Sequence, residues 1–360
     1  YKALCTANLS DPTIADGSTA MDVVTYTGNG TTRSITSLSF SPDWLWFKTR
    51  NTSRENYVYD ILRGVQRPIY PDLSNQAETG PDTDAVSSFD SNGWTMGGDP
   101  GGNNNNDTYV CWTWDAGSST VSNTDGSITA NVRANASAGF SIIQFLGNAT
   151  SGATVGHGLN AAPELVIGKN RGGGDAWWVW FKAISSNASA FLKLGTTGLK
   201  TSTQYIANNT APSSTVITLG SDYGWNSNQS PGSILYAFTP VSGYSAFGEY
   251  TGATDLFIYT GFKPQWLMLK SYAGDGFNWV IIDDARGADS SNVSNKLYPN
   301  LSGAEDSDAR GTETKVVFLS NGFLFLDSGA ETNSSTRSYI YGAFASHPLK
   351  TSRGGFQNIP

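Results

Sequence analysis

The chain has 360 residues, of which only 14% are charged, with 40 glycines, 11 tryptophans, 16 tyrosines, 17 phenylalanines and a net charge of -8. An acidic chain without clustered Lys and Arg is unsuited to nucleic acid, whose phosphates need such clusters, and to docking on an anionic membrane through a basic patch. No apolar run reaches 18 residues, so no membrane-spanning helix is expected, and no long stretch carries a helical apolar period.

In chain order, residues 1–20 hold Asn8, Ser10, Asp11, Pro12, Asp16 and Gly17 with little apolar pattern, and read as an extended arm. The chain starts with Tyr and lacks a basic stretch followed by an apolar core, which suggests a processed or partial chain without a signal peptide. A first β-rich unit is expected over 21–117. Its strongest strand is Trp44-Leu45-Trp46-Phe47-Lys48 behind Pro42-Asp43, a short aromatic run expected to be covered on both faces. The polar tract Gly97 to Asp107 reads as a surface loop or hairpin tip. Residues 118–138, rich in Ser, Thr, Asn and Ala, read as a linker with one short strand near Ser127 to Val132. A second unit is expected over 139–243 and a third over 244–349. The join Thr239-Pro240-Val241-Ser242-Gly243 is short, so these two should pack closely while the first sits further off. Residues 350–360 form a basic, Gly-rich tail.

The three units share motifs. The proline-led strand recurs as Pro163-Glu164-Leu165-Val166-Ile167-Gly168-Lys169 and Pro264-Gln265-Trp266-Leu267-Met268-Leu269-Lys270, 121 and then 101 residues on. Tyr26-Thr27-Gly28 is matched by Phe145-Leu146-Gly147 and Tyr250-Thr251-Gly252, and Tyr70-Pro71-Asp72-Leu73-Ser74 by Tyr298-Pro299-Asn300-Leu301-Ser302. Asp60 with Arg63 answers Asp283 with Arg286, and Asn92-Gly93-Trp94 answers Asn321-Gly322-Phe323, whereas the middle unit lacks the Tyr-Pro and Asn-Gly motifs. Each unit ends on an aromatic strand. A period near 100 points to small domains in series, not to a solenoid. The expected fold is all-β: three consecutive sandwich-like domains of antiparallel sheets, each with its own core.

Candidate sites are few. Lys48, Lys169 and Lys270 read as strand-end lysines with the ammonium in water, and the Asp-Arg pairs as turns closed by ion pairs. Asp283 and Asp284 are adjacent on a strand and so face opposite ways, wrong for a shared catalytic task. His157 and His347 lack a nucleophile motif, and no His/Cys cluster suggests zinc. No cofactor is expected; Asp99 to Asp107 and Glu305-Asp306-Ser307-Asp308 hold oxygen ligands enough for Ca2+ but match no EF-hand spacing. Cys111 reads as a buried thiol, with a bridge to Cys5 left open. Most tryptophans read as core; Trp225, flanked by loop residues, is the one expected to be exposed. The loop tips Gly97–Asp107, Tyr223–Gln229 and Glu305–Arg310 are therefore the candidate ligand-binding segments, with Asn103, Asn104, Asn105, Tyr223, Trp225, Asn226 and Asn228 suited to glycan hydroxyls.

Several further stretches, Tyr1 to Leu9, Met21 to Gly30, Trp112 to Gly117, Gly156-His157-Gly158-Leu159 and Leu319 to Phe323, together resemble repeat-built structural proteins of tailed bacteriophages, in which a concanavalin-like or SPRY-type domain often precedes such a stretch. The resemblance implies a non-enzymatic virion surface protein, a tail fibre or adhesin, assembled with copies of itself as a trimer or higher multimer and with other virion proteins, that attaches multivalently to host surface polysaccharide. It supplies no catalytic residues. A purely architectural part, such as a capsid decoration or fibre shaft, and a polysaccharide depolymerase are the alternatives.

Overall fold

The computed structural model describes residues 13–73, 80–287, 294–306, 315–326 and 328–348. The protein is mostly β, with antiparallel pairing throughout its sheets and, among the described residues, one single-turn α-helix, Tyr223–Asn226, and two 3-10 turns, Gly17–Thr19 and Asp284–Arg286. No helix among them is long and apolar enough to cross a membrane.

Three sheets dominate. In the first, the opening strand Met21–Thr27 pairs with the closing strand Thr108–Trp114, which pairs with the proline-led strand Trp44–Thr49, which pairs with a fourth strand, Tyr57–Asp60. The order is the same for Phe140–Phe145, Ser233–Phe238, Leu165–Asn170 and Trp178–Phe181, and again for Ser245–Thr251, Ser338–Ala345, Pro264–Ala273 and Val280–Asp283. The second sheet is extended to eight strands. Ala190–Lys193 and Thr201–Ser202 lengthen one edge, and Ala130–Asn135 and Thr120–Asn123 the other. The stretch 118–138, expected to be a linker, thus forms two strands on the second sheet. Its alternating Ala130 and Val132 supply the buried face that the surrounding Ser and Asn obscure in the sequence.

Each proline-led strand alternates between two covers. Trp44, Trp46, Leu165, Ile167, Trp266 and Met268 point into one core that all three sheets share. Their neighbours point the other way, Leu45 and Phe47 toward the small sheet of Arg33–Ile35, Gly93–Met96 and Val86–Asp90, Val166 into a second outer core, and Leu267 and Leu269 into a third. The expected two-sided burial is present, but not as three self-contained cores. One cover of each strand is the other two sheets, and the first sheet does not stand apart. The closing strands meet at the centre, where Trp114, Phe238 and Phe344 form a triangle with ring centroids 6.5, 5.8 and 5.9 Å apart. Trp44 stacks on Tyr236 at 4.7 Å across this core. Such aromatics bring large buried areas and geometric preference together, which fixes how the sheets face one another.

Candidate functional site

The predicted loop residues divide into clamps and exposed tips. Asn103 is buried: its Nδ2 donates to Thr31 O and Gly97 O at 2.6 and 2.7 Å, and its Oδ1 accepts from Asn29 N at 3.0 Å. Asn226 is equally buried, with Nδ2 on Gly220 O and Thr150 O and Oδ1 accepting from Asn148 N. Asn333, which the sequence reading did not single out, does the same for Ala253. Each asparagine holds the turn that follows an opening strand, and each turn carries a glycine pressed on the clamp: a Cβ on Gly28, Gly147 or Gly252 would sit 2.1 to 2.5 Å from the backbone there. The repeated Tyr-Thr-Gly and Phe-Leu-Gly motifs were the signal for this device. Fully bonded and buried, Asn103 and Asn226 have no capacity left for a ligand, which corrects their assignment as glycan contacts.

Trp225 is likewise not exposed. Its indole lies against Phe191 at 5.4 Å in the second outer core, and its Nε1 donates to Trp178 O. Polar neighbours in sequence do not set the direction of a residue on a one-turn helix capped by Asp222. Asn104 is half-buried and bonded to Asp107, while Asn105, Tyr223 and Asn228 are exposed. The two groups lie on loops of different sheets. Residues 307–310 of the third loop, Cys5 and the tail 350–360 lie outside the described residues. Cys111 is buried with a free thiol.

Asn103 also holds the floor of an open trough of about 450 Å³ lined by Gly30, Thr31, Thr32, Thr83, Asp84, Ser87, Gly97 and Gly98. Its side-chain groups are hydroxyls and one carboxylate. They can exchange hydrogen bonds with a polyhydroxy ligand; no nucleophile and base are paired there. His157 is buried, with Nδ1 accepting from Leu159 N, and no cluster of metal-ligating side chains occurs among the described residues.

Several other buried polar side chains bridge the seams between sheets. At one register position, Asn56, Trp177 and Trp279 each reach a backbone carbonyl of another sheet's unit: Asn56 Nδ2 to Tyr298 O at 3.1 Å, Trp177 Nε1 to Tyr70 O at 2.9 Å, and Trp279 Nε1 to Lys193 O at 3.0 Å. The donation runs from first to third, second to first and third to second. Trp112 Nε1 meets Asp283 at 2.8 Å, and Tyr236 OH meets Asp60 at 2.7 Å. Both carboxylates are closed by the arginine three residues on, as expected of a turn, and Gly64 and Gly287 take the left-handed φ of 83° and 104° that ends it. Lys48, Lys169 and Lys270 are fully buried, contrary to the strand-end reading. Lys48 donates to Arg54 O and Ser302 O, Lys169 to Asp175 O, and Lys270 to Ser271 O and Thr197 O. Burial lowers each ammonium to about 8. Carbonyl oxygens take the place of water around the charge.

Fold and seams define a mostly β protein of several antiparallel sheets locked around an aromatic core. Residues 16–348 match the domain of unknown function DUF7483, and the chain belongs to that family. No curated protein and no solved structure matches it.

Proposed function

We propose that this chain is a non-enzymatic surface protein of a tailed-phage particle, a rigid module built by triplication of one β-sandwich unit, that attaches to host surface polysaccharide through many weak contacts. The reading is supported most by the hydroxyl-lined trough beside Asn103, which is open and held by side-chain bonds to its own walls. A preorganised polar surface of this kind loses little entropy when it meets a sugar, and repetition across copies raises a weak contact to useful strength through effective concentration. Phage and glycan enter this reading through the resemblance in sequence motifs. The test is a glycan array probed with the full chain, alongside Asp84→Ala. Binding to a host polysaccharide that falls at least fivefold in the variant supports the reading, and no binding to any surface glycan removes attachment.

The architectural alternative is favoured by one observation. Asn103, Trp225 and Asn226 serve the fold, so much of the chemistry that marked the loops is structural. Imaging intact particles at near-atomic resolution separates the two readings, since a shaft or decoration buries the trough against neighbouring subunits.

A further inference from the structure

The small sheet outside the third core presents a face unlike its counterpart in the first unit. Its strands Phe257–Tyr259, Gly322–Phe325 and Val316–Leu319 pair so that Phe257, Leu324 and Val317 form one row across the sheet, and Tyr259, Gly322 and Leu319 the next. Ile258, Phe323, Phe325, Val316 and Phe318 point inward, so both rows point out. Tyr259 is 58% exposed, and Phe257 and Leu326 are each 40% exposed. Neither row contains an ionisable side chain other than the tyrosine phenol.

In the first unit the same positions are polar. Ser34, Thr95 and Ser88 form the row, joined by Ser34 Oγ to Thr95 Oγ1 at 2.7 Å and by Asp90, whose carboxylate accepts from Thr95 and Ser88 at 2.8 Å. One backbone arrangement thus carries a hydrogen-bonded polar face in one unit and, in the other, an apolar face exposed at Phe257 and Tyr259 and half-buried at Val317, Leu319 and Leu324. The fold does not require the apolar version, and an exposed apolar patch of this kind marks an interaction site.

We infer that this face is where two copies of the chain meet, sheet on sheet, about a twofold axis near Leu324. The occupant follows from charge and shape. A chain of net charge -8 repels its own copies wherever charged surface meets charged surface, and this patch is free of that repulsion. Two flat apolar sheet faces pack at about 10 Å with their side chains interleaved, and an isologous contact matches each row with its own copy. Aliphatic Val317, Leu319, Leu324 and Leu326 suit another apolar sheet better than a sugar. Three short strands bury on the order of 1,000 Å² in total when paired, at the low end for a specific interface, so the contact is weak in dilute solution and effective where copies are held together. This inference gives a surface to the self-association in the proposed function but does not depend on glycan binding.

Sedimentation equilibrium of the full chain, from about 1 μM to about 1 mM, tests it. The expected result is a monomer–dimer equilibrium that weakens at least tenfold in Phe257→Ser/Leu324→Thr, which copies the first unit's residues, with an unchanged circular dichroism spectrum. Leu324→Cys should cross-link as a disulfide dimer under mild oxidation, which covers the case in which the double variant misfolds. A chain that stays monomeric throughout, an association untouched by the double variant, or a Leu324→Cys chain that does not cross-link would overturn the inference.

Discussion

The seam between the first and third sheets and the seam between the third and second sheets occupy corresponding places but are built differently. The first carries Trp112 on Asp283, Arg286 and Arg50 both on Glu305 at 2.9 Å, Asn56 on two carbonyls, and Lys48 on a third. In the second, Phe181 stands at the register position of Asp60 and Asp283, and Gly342 at that of Trp112 and Tyr236. Donor and acceptor are lost together. A Cβ on Gly342 would meet the Phe247 ring at 3.3 Å and the Phe181 ring at 4.0 Å, so apolar rings pack where the other seams place a donor. The difference teaches where polar clamps are needed. The second and third sheets are joined by a few residues near 239–244, whereas the first and third are distant in sequence and closing them costs more chain entropy. The ion network sits where the chain itself gives least help.

The largest expected effect breaks that network. Asp283→Ala removes one of the two carboxylates on the buried Arg286, which keeps only Glu305, and leaves Trp112 without its acceptor, and should cost about 2–4 kcal/mol in urea unfolding. Phe181→Leu in the other seam leaves no charge behind and should cost only about 1 kcal/mol. Comparable losses in the two variants would show that the clamps do not distinguish the seams.

The three buried lysines sharpen the comparison through pH. Each ammonium has a folded value of about 8 against an ordinary 10.5, so its charge opposes folding below pH 8 and this opposition is relieved as pH rises from 8 toward 10.5. Buried tyrosines such as Tyr236, whose phenols burial pushes up, act in the other direction above pH 10. Stability should therefore rise between pH 8 and pH 10 by about 2 kcal/mol for each lysine, and Lys270→Met should remove its share. A flat profile between pH 8 and pH 10, measured by chemical denaturation, contradicts the buried placement.

In acid, Glu305 reports on the first seam. Burial raises the Glu305 carboxyl, but the Arg50 hydrogen bond and Arg286 outweigh it, and the net value is lowered. Its stabilising contribution is thus complete above the ordinary value of 4.5 and is lost as pH falls through the lower folded value. Glu305→Gln should be less stable at pH 6 by about 1–2 kcal/mol and should lose less than the parent chain below pH 4.5. Parallel acid profiles for the two chains would place the network's effect elsewhere.

What the sequence disclosed follows from what is local. Two-sided burial of the proline-led strands was legible in runs such as Trp44 to Phe47, and the Asp60–Arg63 and Asp283–Arg286 turns in their spacing. The identity of the second cover was not. Nothing near Trp44 records that its other face meets Tyr236 and Phe238, 192 and 194 positions away. The lysines were misjudged for the same reason, since the carbonyl that receives Lys48 belongs to Ser302. Trp225 and Asn103 were misread because polar neighbours suggest a wet loop, while the glycines pressed against the asparagine clamps pointed to close packing. Phe181 of the second sheet, at the register position of Asp60 and Asp283, is matched by Gly342 of the third, a pairing visible only across a seam.

The smallest effect tests what the seams have in common. Trp177 and Trp279 each place an indole N–H on a carbonyl of the neighbouring unit, at 2.9 and 3.0 Å, and both rings lie in the shared core. Replacing the indole by naphthylalanine at either site keeps most of the buried area and removes the donor, leaving Tyr70 O or Lys193 O without that bond. Each change should cost about 1 kcal/mol, and the two should be alike although one seam has an Asp–tyrosine clamp and the other an apolar contact. Together they should add to within about 0.5 kcal/mol, because the acceptors lie in different units. A strong departure from additivity, read from thermal and urea unfolding of the double variant, would mean that the seams close as one cooperative ring, in which case the polar network at the first seam stabilises all three.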